Sequence, residues 1–195
     1  MQHSKKIYAL CDFELLDKYN ISFSQYIEKI SKYNIVFIQY RDKLNSLDKQ
    51  KENLLLLKSL TNIPIIINDS LELLEYADGL HLGQEDLANL QKTLNIKDKQ
   101  LLFTFLKRKY QNKYFGLSTH NEVEILEANN YPLDYIGLGA YRGTSTKKDI
   151  QGILGDKVSY LAKISKHPVG VIGGVKLDDN IKDIQYYVIG SGLLI

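Results

Sequence analysis

Residues 35–69 read IVFIQYRDKLNSLDKQKENLLLLKSLTNIPIIIND. The stretch opens on an almost continuously apolar run, Ile35–Tyr40, and ends on another, Ile63–Ile67. Strands covered on both faces read this way, and two-faced cover is typical of parallel sheets. Between the runs, a polar segment leads into Leu54, Leu57 and Leu60, the step of an amphipathic helix. Strand, helix and strand in this order form one βα unit and the start of the next.

The same alternation extends to both ends of the chain. Further β-type runs are Ile7–Cys11, Gly79–Leu82, Tyr114–Leu117, Tyr135–Leu138, Val169–Ile172 and Tyr187–Ile189. Helical spacing recurs at Phe23, Ile27 and Ile30, at Val123 and Leu126, and at Val158, Leu161 and Ile164. About eight strand–helix alternations predict an α/β fold, a (β/α)8 TIM barrel over residues 1–195 as a single domain, with a doubly wound open sheet as the rival. A barrel of this kind typically takes about 250 residues, so 195 requires abbreviated helices, notably the third, Leu71–Tyr76, and the seventh. After the eighth strand only a turn is expected in place of the closing helix. One segment breaks the pattern. Leu101–Tyr110, LLFTFLKRKY, reads as an extra β-like segment with a basic turn at Lys107–Lys109, either a hairpin arm leading into the fifth strand or a separate strand outside the barrel count.

Composition narrows the function. Lysine and arginine number 25 against 23 aspartates and glutamates, a net charge of +2, which gives no global reason to expect nucleic acid or an anionic membrane. The single cysteine, Cys11, sits in an apolar strand and excludes both an intrachain disulfide and a cysteine-ligated zinc site. With no signal-like segment and no apolar run near the roughly 20 residues of a membrane span, a cytoplasmic setting is expected. The oligomeric state, a homo-oligomer included, is left open.

The unusual polar residues fall at strand ends. In a parallel barrel the C-terminal strand ends open on one face, and the chemistry gathers there. Gln39, Arg41 and Lys43 follow at i, i+2 and i+4, so an extended backbone points them to one side. A guanidinium fork beside a point charge suits a polyphosphate. Asn68, Asp69 and Asp86 offer amide and carboxylate oxygens suited to magnesium, which takes one or two carboxylates with waters and phosphate oxygens. Taken singly, Asp69 and Asp86 also read as helix N-caps. Gly173-Gly174, before an expected helix start at Leu177–Asn180, and Gly190-Ser191-Gly192 place backbone N–H groups after strands seven and eight, where barrels often hold a phosphate. No GxxxxGK[ST] loop and no GxGxxG before a helix is present. His81 reads as a structural hydrogen-bonding residue, whereas His120, beside Ser118 and Thr119, suits acid–base work.

With these motifs in order, IYALCD, IQYRDK, IPIIIND, ADGLHLGQEDL, FGLSTHNEVE, DYIGLGAYRGTSTKKD and VIGGV, the chain resembles the thiamine phosphate synthases from Tyr8 to Ser191. The resemblance implies a phosphate-binding barrel that joins hydroxymethylpyrimidine pyrophosphate to thiazole phosphate and releases pyrophosphate. It assigns Gln39, Arg41, Lys43 and Asn68 to the pyrimidine substrate and its pyrophosphate, and Asp69 and Asp86 to magnesium. Ser118 and Lys147 would contact the leaving pyrophosphate, with Thr144 and Thr146 positioning phosphates. Gly174, Ile189, Gly190 and Ser191 would cradle the thiazole phosphate. Within this set Arg41, Lys43, Ser118 and Lys147 carry the catalytic roles. The chain departs from the family pattern at Ala140, Arg142 and Gly143, which implies a looser, more basic loop over the phosphates. The same superfamily holds a thiazole tautomerase, for which His120 would be the proton shuttle. A non-catalytic barrel that binds thiamine precursors is the third reading. The spaced cations and the two carboxylates favour the synthase over the tautomerase, which has no pyrophosphate to clamp.

Overall fold

The computed structural model describes residues 5–143 and 152–194. Eight strands carry the architecture: β1 (Ile7–Asp12), β2 (Ile35–Arg41), β3 (Ile65–Asn68), β4 (Gly79–Leu82), β5 (Tyr114–Thr119), β6 (Tyr135–Leu138), β7 (Val169–Val171) and β8 (Tyr186–Ile189). Each pairs in parallel with the next, and β8 returns to β1, so the sheet closes as a barrel and the open-sheet rival is excluded.

The helices between strands are α1 (Phe13–Lys18), α2 (Phe23–Ile30), α3 (Leu47–Ser59), α4 (Gln84–Leu94), α5 (Lys99–Lys109), α6 (Glu122–Ala128) and α7 (Lys157–Ile164). The third connection is the single 3-10 segment Leu71–Tyr76, as the short spacing requires. No helix lies between β7 and β8, and a 3-10 turn, Ser191–Leu193, follows β8. The predicted hairpin arm at Leu101–Tyr110 is instead helix α5. Asp98 caps it by accepting from the Leu101 N–H, Leu102, Phe103 and Leu106 form its buried face, and Lys107, Arg108 and Lys109 occupy its last turn. Basic residues there complement the negative end of the helix dipole, and Lys107 also pairs with Asp134 at 2.6 Å.

Strand alternation sorts each strand into an outward and an inward set. Outward residues such as Cys11, Ile38, Ile67, Leu80, Leu117 and Ile136 pack under the helices in the main core. Inward residues Tyr8, Phe37, Ile66, Tyr135 and Val188 form a second, smaller core that fills the barrel. Phe37 stacks on Tyr135 at 5.9 Å between ring centres, with Tyr8 edge-on to both at 5.5 Å. Gly116 makes room for this arrangement, since a Cβ there would lie 2.2 Å from Cζ of Tyr135.

Candidate active site

Continuing the inward parity to the C-terminal ends of the strands gives Asp12 on β1, Gln39 and Arg41 on β2, Asn68 on β3, His81 on β4 and Ser118 on β5. The layers of the barrel therefore change from aromatic to polar toward this mouth. Register agrees: Asp12 lies opposite Arg41, and Asn68 opposite His81.

The two cations of the second strand are held by acidic partners. Arg41 Nη1 donates to Asp12 Oδ2 at 2.6 Å, and the Asp12 side chain is only 1% exposed. The other Asp12 oxygen caps α1 by accepting from the Leu15 N–H at 3.2 Å. Lys43, just beyond the strand, donates to Asp69 Oδ2 at 2.8 Å. Asp42, between them in sequence, faces elsewhere and accepts from Tyr40 Oη and from Asn45.

Asp69 follows β3 directly, with a left-handed backbone at φ 63°. It accepts from Lys43, from the Asn68 side-chain amide and, through Oδ1, from the Gly83 N–H at 3.0 Å. Asp86 lies in the first turn of α4, whose N-cap is Gly83. Neither carboxylate is itself an N-cap residue, since Ser70 and Gly83 hold those places. They converge: a Cβ on Gly83 would stand 3.0 Å from Asp86 Oδ2 and 3.9 Å from Asp69 Oδ1. Burial, then the charge of Asp69, push the Asp86 carboxyl above its ordinary value. Burial also opposes ionisation of Asp69, but hydrogen bonds from Lys43 and Gly83 and the charge of Lys43 outweigh it and hold that carboxyl low. Among the described residues, no group of three or more His, Cys, Asp or Glu side chains is arranged to hold a metal.

Gln39 is buried and donates from Nε2 to Tyr8 Oη at 2.9 Å. Ser118 Oγ stands 2.9 Å from His81 Nε2, and its carbonyl accepts from Gln84. His120 is held by Glu124, which meets both its Nδ1 at 2.9 Å and its backbone N–H at 2.8 Å.

The glycine-rich loops depart from expectation. No helix starts at Leu177–Asn180. Asp179 instead takes both Arg142 nitrogens at 2.7 Å, and Arg142 also reaches the Gly174 carbonyl. The segment at Ala140–Gly143 is therefore tied down rather than loose, and its added cation is already paired. Gly173, at φ 91°, is required by close approach, since a Cβ would come within 2.7 Å of Ala140 Cβ. The N–H groups of Gly173 and Gly174 carry no hydrogen bond to a described residue. Ile189 has outward parity and packs in the main core, so only its backbone borders the mouth beside Gly190 and Ser191. Thr144, Thr146 and Lys147 lie outside the described residues.

Sequence reading places Asp12 at the end of the first strand, on the mouth, but gives it no partner, and it does not single out Tyr8 or Tyr135. The usable signal was parity, since Tyr8 and Tyr135 share the inward face with Gln39 and Ser118.

Comparison with known proteins identifies the family and agrees with the fold. The thiamine monophosphate synthase family matches residues 7–188. The thiamine-phosphate synthase of Clostridium acetobutylicum is 32% identical over 194 residues, covering 97% of this chain and 85% of that protein. The thiamine-phosphate synthase of Persephonella marina is 35% identical over 125 residues, 63% of this chain, and the match spans 53% of that protein's length. Among solved structures, the thiamine phosphate pyrophosphorylase of Pyrococcus furiosus superposes with a TM-score of 0.70 at 21% identity, over 95% of this chain and 85% of that one, a likeness of fold. A barrel whose inward-facing strand ends carry this polar rim, matched along nearly its whole length, belongs to the thiamine monophosphate synthase family.

Proposed function

We propose that the chain is a transferase, a thiamine-phosphate synthase, which joins 4-amino-2-methyl-5-hydroxymethylpyrimidine pyrophosphate to thiazole phosphate. The single observation that carries this reading is the shared rim of Arg41, Lys43, Asn68, Asp69 and Asp86, where cations and carboxylates are already in contact. A diphosphate ester would be met by Lys43 and by the Arg41 N–H groups that Asp12 does not take, and Asp69 and Asp86 would be left to hold a metal ion.

The donor set fits magnesium. Two carboxylates converge, one held high first by burial and then by the charge of the other, and a divalent cation between them would relieve that repulsion. Asp69 and Asp86 would hold the ion, which when bound supplies positive charge to the oxygens of pyrophosphate. The remaining work belongs to the protein. Arg41 offers its fork to the diphosphate, Lys43 a point charge, and Ser118 a hydroxyl, so negative charge on the leaving group is stabilised as the methylene–oxygen bond breaks. The pyrimidine cation left behind needs a nearby thiazole nitrogen, held through its phosphate at Gly174, Gly190 and Ser191. Lys147, Thr144 and Thr146 complete the phosphate contacts in this reading. The partners are small molecules, with no role for nucleic acid or a membrane, and the setting is cytoplasmic.

The test mixes purified protein, both substrates and magnesium, and follows thiamine phosphate and pyrophosphate. Product from the wild type, and at least a hundredfold less from Asp86→Ala, is expected. Folded protein that forms no product but exchanges protons on thiazole phosphate through His120 would overturn the proposal in favour of an isomerase.

A further inference from the structure

A chain of side chains crosses the barrel interior from Gln39 to Ser118. Gln39 Nε2 donates to Tyr8 Oη at 2.9 Å. Tyr8 Oη and Tyr135 Oη are 2.9 Å apart. Tyr135 Oη is 3.1 Å from His81 Nδ1, and His81 Nε2 is 2.9 Å from Ser118 Oγ. The Tyr8 and Tyr135 side chains are almost wholly buried, and each keeps its proton because burial pushes its ionisation well above the ordinary range.

Donor and acceptor arithmetic gives this chain one direction. Tyr8 oxygen accepts from the Gln39 amide, so its single O–H must go to Tyr135. Tyr135 then donates its own proton to His81 Nδ1. A neutral imidazole accepting at Nδ1 carries its proton on Nε2 and donates it to Ser118 Oγ. Ser118 Oγ, having accepted, turns its O–H away from His81 and toward the mouth. Turning over the Gln39 amide would reverse every link and leave Ser118 donating inward.

We propose that Tyr8, Tyr135 and His81 are positioning residues, a one-way hydrogen-bond chain that reads the orientation of the Gln39 amide and keeps Ser118 a donor toward substrate. The inference deepens the synthase reading and rests on it for its catalytic meaning. With Nε2 committed to Tyr8, the Gln39 oxygen is the atom left to accept from the amino group of a 4-aminopyrimidine. Ring recognition and presentation of a donor to the departing diphosphate are thus set by one amide. Tyr135 is the central link: without its hydroxyl, Gln39 and Tyr8 no longer instruct His81.

The direct test is the His81 tautomer, read by long-range 1H–15N correlation on the 15N-histidine-labelled full chain without substrate, with His81 assigned by His81→Gln. The Nε2–H form is expected in the wild type, and an Nδ1–H population should appear in Tyr135→Phe. Wild type found in the Nδ1–H form, or a tautomer unchanged by Tyr135→Phe, overturns the proposal. In turnover, Tyr135→Phe should lower kcat by roughly tenfold, the loss of one aligned donor, with KM for thiazole phosphate unchanged. A KM rise at constant kcat would count against it. If the wild type shows the Nε2–H form but makes no thiamine phosphate, the chain polarity stands and the synthase reading fails, so the two claims are separable.

Discussion

Replacing Arg41 by Met should cost more folding stability than replacing Asp12 by Asn, and combining the two should restore most of the loss. The partners are unequally buried. Asp12 is 1% exposed in its side chain and Arg41 24%, across a contact of 2.6 Å. Removing the guanidinium leaves a buried carboxylate whose remaining donor among the described residues is the Leu15 N–H at 3.2 Å. Breaking a buried pair costs about 3–5 kcal/mol, and water reaching the vacated Arg41 side lowers that to about 2–3 kcal/mol. Asp12→Asn removes the charge but keeps a capping oxygen and leaves the arginine head partly in water, so about 1 kcal/mol is expected. The double variant has no buried charge and keeps an apolar stem along the same wall, and should fall within about 1 kcal/mol of the wild type. Urea unfolding at neutral pH, with the three variants and the wild type in one cycle, measures the coupling directly. If Arg41→Met is no less stable than Asp12→Asn, or if the two losses simply add, the pair is not what anchors Arg41 at the rim. The result also decides how an activity defect in an Arg41 variant is to be read, since part of it would otherwise be unfolding.

Two further outcomes follow from packing and from linkage. Gly116→Ala should destabilise by about 2–4 kcal/mol, because its Cβ must displace the Tyr135 ring from 2.2 Å and with it two buried hydrogen bonds; Gly170→Ala, whose Cβ would meet the Val188 methyl at 3.1 Å, should cost less, and equal urea midpoints would refute the close-approach argument. The hydrogen bonds from Arg142 hold the Asp179 carboxyl below its ordinary value against burial, so its folded-state pKa is depressed. Its stabilisation is then fully present above the unfolded value, about 3.9, and is lost as pH falls through the folded value. Asp179→Asn should therefore be less stable than the wild type at pH 7, with the gap closing in acid; a gap independent of pH would contradict this.

The barrel was legible because its signal is physical and repeated. A parallel strand under helices must be apolar at nearly every position, and IVFIQY and IPIII announce that without help from neighbours. The same rule misled at LLFTFL, six residues that look like a strand but bury Leu102, Phe103 and Leu106 on one helical face. Asp98, three residues before Leu101, and the basic close at Lys107–Lys109 were the cap and dipole signals that outweigh a short apolar run. At the mouth, residue type and spacing located Arg41, Lys43, Asp69 and Asp86 on one rim, but not their pairing. Asp12 is twenty-nine residues from Arg41 in sequence and adjacent only through the β1–β2 register. The interior hydroxyl chain was hidden for the same reason, since Tyr8 and Tyr135 are brought together by closure of the barrel across 127 residues.

The contact between Lys43 and Asp69 carries a consequence for the proposed magnesium site whose sign is fixed in advance. Lys43 Nζ stands 2.8 Å from Asp69 Oδ2, so in the free protein the ammonium competes with any cation for that oxygen. Lys43 is 45% exposed in its side chain and Asp69 13%, which places the pair near the surface class and its strength at about 0.5–1 kcal/mol. Lys43→Met should accordingly bind magnesium about two- to fivefold more tightly in the absence of pyrophosphate. The wild type should gain affinity for magnesium when pyrophosphate is added, because the anion draws Lys43 off Asp69, and by reciprocity magnesium should tighten pyrophosphate by the same factor. In Lys43→Met that part of the mutual gain should be missing, while Asp86→Asn should weaken magnesium with or without the anion. Calorimetric titration of the magnesium ion into each protein, alone and with pyrophosphate, and corrected for the magnesium–pyrophosphate equilibrium in solution, resolves these cases. Weaker magnesium binding by Lys43→Met alone would show that the lysine does not contest the carboxylate, and the exchange of partners at the rim would have to be abandoned.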